Sequence, residues 1–412
     1  MLNRASRPDR RHILSLGFAT HLFAVAMPMA AMPVLVNEIS GDLGLSLVEI
    51  GSVWAASSLA NAFISLPSGL IGDRFGVKRV LSISCLLAGL GIITKGLSNG
   101  FLMLAVTTFL SGLITSIIPV NVHKTVSIWF QGSNLGRANG VVSLGFGLGM
   151  TLGAMISATL LSPWLGGWRN VMYLYGGMNI IIGLIWLMMK METSSTEPAA
   201  SSSRGAPFLQ TLSKVAHIKE VWLLGLIAMG RTAAMGGVSG YLALYLERYR
   251  GWSLAGADSA LAMISIVSSI AVLPVAIISD RLRSRMAIIL PGTLAALVGI
   301  GLFPIANPAM IWLLVILLGI FSDGYMAVFI TMIQETRGVG PQYSGTAMGL
   351  VFALAGIVSS VTSPISYSLA SINPNFAFIF WTGLVVFSLA ALLYARNTGQ
   401  LKTNTTDAGE NA

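Results

Sequence analysis

Charge is what this sequence has least of. Asp, Glu, Lys and Arg make up 9% of its 412 residues, against 55% hydrophobic. A soluble domain carries about 25% charged residues, so a water-soluble fold is excluded. Cysteine is almost absent: Cys85 stands alone inside an apolar run. That excludes a disulfide within the chain and a metal cluster built on thiolates. Histidine occurs four times, scattered, so no metal site is expected. No Walker phosphate loop, Gly-x-Ser-x-Gly elbow or His-Glu-x-x-His pair occurs. The chain therefore reads as no enzyme, and no cofactor is expected. Gly145-Phe146-Gly147-Leu148-Gly149 has the outline of a dinucleotide fingerprint, but it lies in an apolar span with no strand before it, and helix packing is the better account. The net charge of +9 does not imply nucleic acid, because the cations sit in short loops between apolar runs.

What the sequence has in excess is apolar length. Twelve segments, roughly 12–36, 47–71, 79–98, 100–123, 137–162, 168–190, 220–246, 256–279, 285–306, 309–333, 343–370 and 374–395, approach or exceed the ~20 residues that cross a bilayer core. The lipid bilayer is the first partner this implies. The 45 glycines suit close helix packing in lipid. Arg4, Arg7, Arg10 and Arg11 precede the first run, which is longer than the apolar core of a signal peptide (about 7–15 residues) and reads as an uncleaved first helix. With the N-terminus inside, cytoplasmic segments hold 19 Lys and Arg, outer loops hold 4, and Arg231 lies within a span. Both termini are thus expected in the cytoplasm, with the chain multi-pass in the plasma (inner) membrane.

The dense charged stretch Gly69-Leu70-Ile71-Gly72-Asp73-Arg74-Phe75-Gly76-Val77-Lys78-Arg79 falls between two apolar runs, and a second one holds Ser279-Asp280-Arg281-Leu282-Arg283-Ser284-Arg285. Asp73 and Asp280 are 207 residues apart, about half the chain. Gly136, Ala138, Gly140 and Gly147 align with Gly345, Ala347, Gly349 and Gly356 at one offset, 209. A duplicated architecture follows: a cytoplasmic N-terminus (1–11), a six-helix half (12–190), a cytoplasmic linker (191–219), a second six-helix half (220–395) and a cytoplasmic tail (396–412). Glu192 to Pro207 is rich in Ser, Thr, Ala and Pro and reads as flexible. The sequon Asn404-Thr405-Thr406, on a cytoplasmic tail, is a chance match.

Through Gly69, Asp73, Arg74, Gly76, Lys78 and Arg79 the first charged loop resembles the signature of the major facilitator superfamily of secondary transporters. The second copy is degenerate, with Ala276 and Arg283 where the first has glycines. Gly167-Trp168-Arg169 also resembles that family. Lys124, Trp129-Phe130 and Arg137-Ala138-Asn139-Gly140 are loosely similar to its porters of small organic or inorganic anions. Gly145, Gly149 and Gly153 keep the spacing of its drug/proton antiporters, but the proline of their signature is missing. The resemblance implies an all-α integral membrane protein, twelve transmembrane helices in two pseudo-symmetric six-helix bundles around a central cavity lined by spans one, four, seven and ten. It implies alternating access by a monomer acting on a small-molecule solute, with a co-transported ion. It also implies a gate in which Asp73 lies near the N-terminus of span eleven, where a helix dipole favours an anion. Arg74, Lys78 and Arg79, and Asp280, Arg281 and Arg285 in the second copy, belong to that gate. The bland alternative is a positive-inside anchor, which the cations alone would satisfy.

Within the spans, Arg231 is the sharpest residue. A mid-span arginine costs about 2.5–3.5 kcal/mol on insertion scales, so it faces a cavity or a partner. Its guanidinium either binds a substrate oxyanion in bidentate fashion or closes a structural ion pair. Tyr245, at offset 14, falls on the same helical face. Asp323 in span ten is the natural partner, as a proton carrier or as a permanent counter-ion. His21 in span one either takes a proton or binds substrate, or is a packed polar group. Thr115 in span four either offers a hydroxyl to substrate or bonds its own backbone. Three other readings stay open: a multidrug or metabolite exporter of the same fold, a non-transporting receptor or sensor, and a membrane enzyme, for which no catalytic cluster is seen.

Overall fold

The computed structural model describes residues 10–45, 47–189 and 208–398. The first nine residues, most of the expected linker and the tail beyond Thr398, sequon included, lie outside the described residues. Among the described residues every regular element is helical.

Eleven helices are long and apolar enough to cross a membrane. A twelfth, Leu47–Phe75, has the length at 29 residues, with Ser57, Ser58, Asn61, Ser65 and Ser68 lowering its hydropathy. In order, span one is Arg10–Val34, two Leu47–Phe75, three Val77–Gly96, four Phe101–Trp129, five Leu135–Leu165 and six Trp168–Met188. Then come seven Lys219–Arg250, eight Leu254–Arg281, nine Met286–Ile305, ten Pro308–Glu335, eleven Gly340–Ile372 and twelve Phe376–Asn397. The fold is twelve helices of membrane-crossing length. Large apolar side chains stand outward, among them Leu102, Phe63 and Ile270. In water such a surface would drive aggregation. In lipid it meets its own kind.

Several spans are not uniform helices. Span one carries a π-helical segment, Thr20–Ala26, just before Pro28. Span five carries another, Ser157–Leu161. Span four is interrupted at Ser116, between Phe101–Thr115 and Ile117–Trp129. Span ten is interrupted at Phe321-Ser322, between Pro308–Ile320 and Asp323–Glu335. The interruptions of spans four and ten fall at corresponding places in the sequence repeat. At the span-ten break the Phe321 carbonyl and the Asp323 N–H leave the helical ladder and bond side chains instead, whereas Ser116 keeps its N–H on the Gly112 carbonyl.

Contacts group the chain into two compact units. The first comprises Met1–Gln131, Val141–Ser213 and Pro341–Gly349; the second comprises Gly132–Gly140, Lys214–Gly340 and Leu350–Ala412. Relative to the halves expected from sequence, the start of span five and the start of span eleven change sides. The first unit holds a core of Met27, Leu35, Val53, Leu104, Trp168, Met172 and Tyr175. The second holds a larger aromatic core in which Tyr241, Tyr245, Phe303, Phe378 and Trp381 pack together.

Candidate functional site: buried charges in the spans

The first charged loop is built for a tight reversal. Span two ends at Phe75, Gly76 turns the chain with φ 81°, and span three starts at Val77. Asp73 points back into the first unit and is 7% exposed. Its Oδ2 accepts from the Thr346 N–H (2.8 Å) and from the Thr346 hydroxyl, and its Oδ1 lies 2.5 Å from Lys124 Nζ. Thr346 stands in the early turns of span eleven, so the carboxylate lies close to the place the resemblance implies. The approach needs small residues: a Cβ at Gly69 would collide with the Gly345 carbonyl. Arg74 and Arg79 are exposed and Lys78 is half-buried. Arg74 lies over the Phe75 ring, and among the described residues these three cations make no ion pair.

The second copy repeats the contact within the second unit. Asp280 Oδ2 accepts from the Arg137 N–H at 2.7 Å, at the start of span five. Arg137 and Thr346 are 209 residues apart, the offset of the glycine repeat. The cation differs. Asp280 Oδ1 pairs with Arg285 at 2.5 Å, and the same guanidinium grips Glu335 with two bonds, 2.9 and 2.7 Å. Burial opposes the Arg285 charge, but the two carboxylates outweigh it and hold its pKa above the ordinary guanidinium value. Beside this cluster, Asn139 donates to Thr331 and Gln334. Arg281 is exposed. Arg283 is exposed too, and its φ of 48° makes it the one non-glycine left-handed residue among those described. It occupies the position that Gly76 holds in the first copy.

Arg231 lies in span seven, 5% exposed. Its Nη2 donates to the Phe321 carbonyl at 2.7 Å, and its guanidinium carbon sits 3.7 Å from the centre of the Tyr325 ring. Nε has no partner. Among the described residues no ion pair joins Arg231 to Asp323, contrary to the natural pairing read from sequence. The reason is the break in span ten. The carbonyl end of Pro308–Ile320 carries the negative pole of a helix dipole and takes the guanidinium. Asp323 begins the next half-helix, at a positive pole, and its N–H donates to Ser268 Oγ at 2.9 Å.

The other candidates lie apart from this site. Tyr245 is on the face expected, yet 14 residues along a helix is about 21 Å. It is packed edge-on to Phe378, with its hydroxyl donated to Asn375 at 2.8 Å and accepting from Arg250. Thr115 donates to its own backbone, at Ser111. His21 sits in the π-helical segment of span one, its Nδ1 3.1 Å from the Val142 carbonyl, and its ring centre is 5.1 Å from that of His123. Sequence reasoning missed Lys124 and Thr346 as partners of Asp73, Glu335 and Arg137 as partners in the second cluster, and His123. One signal was available: the 209-residue offset that matched Gly136 to Gly345 also matches Arg137 to Thr346.

Interrupted apolar spans, two repeated halves and charges held by helix ends inside the hydrophobic zone define an α-helical membrane transporter. The chain belongs to the Major Facilitator Superfamily, whose family model matches residues 14–363. It is 31% identical over 172 residues to "Probable galactarate/D-glucarate transporter GudP" of Escherichia coli, a match covering 40% of this chain and 37% of the relative. It is 27% identical over 173 residues to the 4-hydroxybenzoate transporter PcaK of Pseudomonas aeruginosa, covering 42% and 38%. The matched stretches thus span about two fifths of the length of these curated relatives. Its fold is similar to the crystal structure of the superfamily transporter FucP in the outward conformation, with a TM-score of 0.74, 14% identity, and 93% and 97% of the two chains covered.

Proposed function

We propose that the protein moves a small organic or inorganic anion across the plasma membrane by alternating access, driven by an ion or solute gradient. The observation that carries this reading is Arg231. It is a buried guanidinium with a carbonyl and a ring face as neighbours, no carboxylate paired to it among the described residues, and a free Nε. Asp323 acts on this cation through space but does not occupy its donors, so the planar fork is left for a carboxylate or nitrate-like oxyanion. Asp323, one residue past the break, is placed to respond when that charge is neutralised. The names of the two relatives support the class, since galactarate, glucarate and 4-hydroxybenzoate are all carboxylates.

In this reading Arg231 anchors substrate. Asp73 with Lys124 and Thr346, and Asp280 with Arg285, Glu335 and Arg137, are latches made and broken as the site is exposed to one side of the membrane and then the other. Both termini face the cytoplasm, the 191–219 segment tethers the halves, and the transporter acts as a monomer.

The test is uptake of radiolabelled D-glucarate, 4-hydroxybenzoate and nitrate into proteoliposomes. The substrate among these should lose about 10–100-fold in apparent affinity with Arg231→Ala, the worth of one hydrogen bond to a charged group. Arg231→Lys, which keeps the charge without the fork, should fall between. Normal transport by Arg231→Ala would remove the anion-site reading.

A further inference from the structure

The first unit contains a second buried polar site, remote in sequence from Arg231. His21 is 2% exposed and His123 5%. The Val142 carbonyl lies 3.1 Å from His21 Nδ1 and can only accept, so Nδ1 carries the hydrogen. That assigns the tautomer: in the neutral ring Nε2 bears a lone pair. Nε2 is buried and has no hydrogen-bond partner. The rings of His21 and His123 are tilted 56° to one another, and Phe146 meets His21 edge-on.

The backbone here is also unusual. His21 lies within the π-helical segment Thr20–Ala26, and such wide turns are common at functional sites. The segment is pinned from two sides. Trp186 of span six donates to Thr20 Oγ1 at 2.9 Å. Span five approaches closely through its glycines: a Cβ at Gly145 would lie 2.6 Å from the Phe18 carbonyl, and one at Gly149 2.6 Å from that of Leu22. That close approach is what brings the Val142 carbonyl to the imidazole.

The helices packed on the π segment offer no carboxylate. The π segment packs against the rest of span one and against spans three, four and six, with span five reaching it through Val142. None of these helices carries an Asp or Glu between Arg10 and Val34 or in spans three to six. Lys124, next to His123, is turned to Asp73. On span six, Tyr175 bonds Ser157, Tyr173 bonds Gly96, and Arg169 is held by Gly96, Ser98 and Asp42. Arg137 at the start of span five is committed to Asp280. Arg10, Arg11 and His12 lie at the start of span one. Lys78, Arg79 and Lys95 stand near the ends of span three, and Cys85 is the thiol between them.

We propose that His21 and His123 form a one-proton site, and that this pair carries a proton coupled to transport. The lone pair of Nε2 takes a proton from hydronium of the aqueous phase, releasing water, while Nδ1–H stays on Val142. Two adjacent imidazolium ions repel, so the pair holds one proton and not two. A protonated Nε2 has no acceptor in the conformation described, so this conformation is the proton-free one. Loading requires a rearrangement of spans one and four that gives Nε2–H an acceptor. The inference rests on the transporter reading above for its coupling role, but not for proton binding itself.

Two measurements on the full chain decide it. Ring-nitrogen NMR of histidine-labelled protein in nanodiscs, with His12→Gln and His217→Gln for assignment, should show a neutral Nδ1–H ring at His21 at high pH. Uptake at the pair should saturate at one proton, and His123→Gln should shift the His21 midpoint by at least one pH unit. In proteoliposomes loaded with a pH dye, D-glucarate or 4-hydroxybenzoate entering through the wild type should carry about one proton per solute. The ratio should fall to zero in His21→Gln and in His123→Gln. Two protons bound independently, or a ratio unchanged in both variants, would overturn the proposal. If the wild type moves no anion at all, the transport reading fails, and the NMR titration still decides whether the proton site exists.

Discussion

At the scale of single residues, Arg283 shows that a turn position can keep a positive φ after the glycine of its repeat is lost. Gly76 and Arg283 both have positive φ, 81° and 48°, at equivalent turns. A non-glycine side chain there costs about 1–2 kcal/mol. The Arg283 side chain is exposed, with no burial to offset the strain. Arg283→Gly is therefore expected to stabilise the protein by about 1 kcal/mol, and Gly76→Ala, at φ 81° and ψ 141°, to destabilise it by more. Thermal unfolding in one detergent checks both; a fall in stability with Arg283→Gly would mean the arginine has a role in the turn. Arg231 makes the complementary point. Its burial was readable from the hydropathy around it, but its neighbours were not. Asp323 was the obvious counter-charge, yet the peptide dipole of an interrupted helix supplies the contact instead.

At the scale of elements, close approach decides what the charged loops touch. Span two meets span eleven at Gly69 and Gly345, and an added methyl group at Gly69 would run into backbone, which cannot rotate away. Gly69→Ala should cost about 1–3 kcal/mol as overpacking and loosen the Asp73 contacts with Thr346. At Gly136 the added Cβ would meet the Asp280 and Arg285 side chains, which the buried cluster with Glu335 and the Arg137 N–H holds in place. Gly136→Ala is thus expected to cost at least as much. A comparison of their melting temperatures tests this, and a clearly smaller loss for Gly136→Ala would mean that the cluster gives way easily. The helices themselves were legible from runs of apolar residues. Their interruptions were partly so: Pro28 follows the π-helical segment in span one, Pro119 lies three residues past Ser116 and has no N–H for the Thr115 carbonyl, and Phe321-Ser322 stands between Gly319 and Gly324.

At the scale of the whole molecule, the chain is a duplicated helical transporter whose orientation rests on charge. With 19 Lys and Arg assigned inside and 4 outside, the positive-inside rule predicts the topology. Cys85 is buried, so single cysteines placed at exposed sites report cleanly. Arg79→Cys and Arg281→Cys should react with a membrane-impermeant maleimide only from the cytoplasmic side, and Arg248→Cys only from outside. The reverse pattern would invert the assignment.

The sequence by itself determined the class of solvent, the number and order of spans, the internal repeat and the positions of the charges. These depend on local hydropathy and on spacing along the chain, both present in one dimension. Tertiary structure alone decided which groups meet. Asp73 finds Thr346 across 273 residues and Lys124 across a whole span, and His21 finds Val142 across 121. Such pairings depend on how each helix is rotated and how closely glycines let it approach, and a rotation leaves no trace in composition. The break in span ten is the clearest case. It turns a neutral stretch of backbone into the partner of Arg231, through carbonyls that every residue possesses and no sequence motif marks.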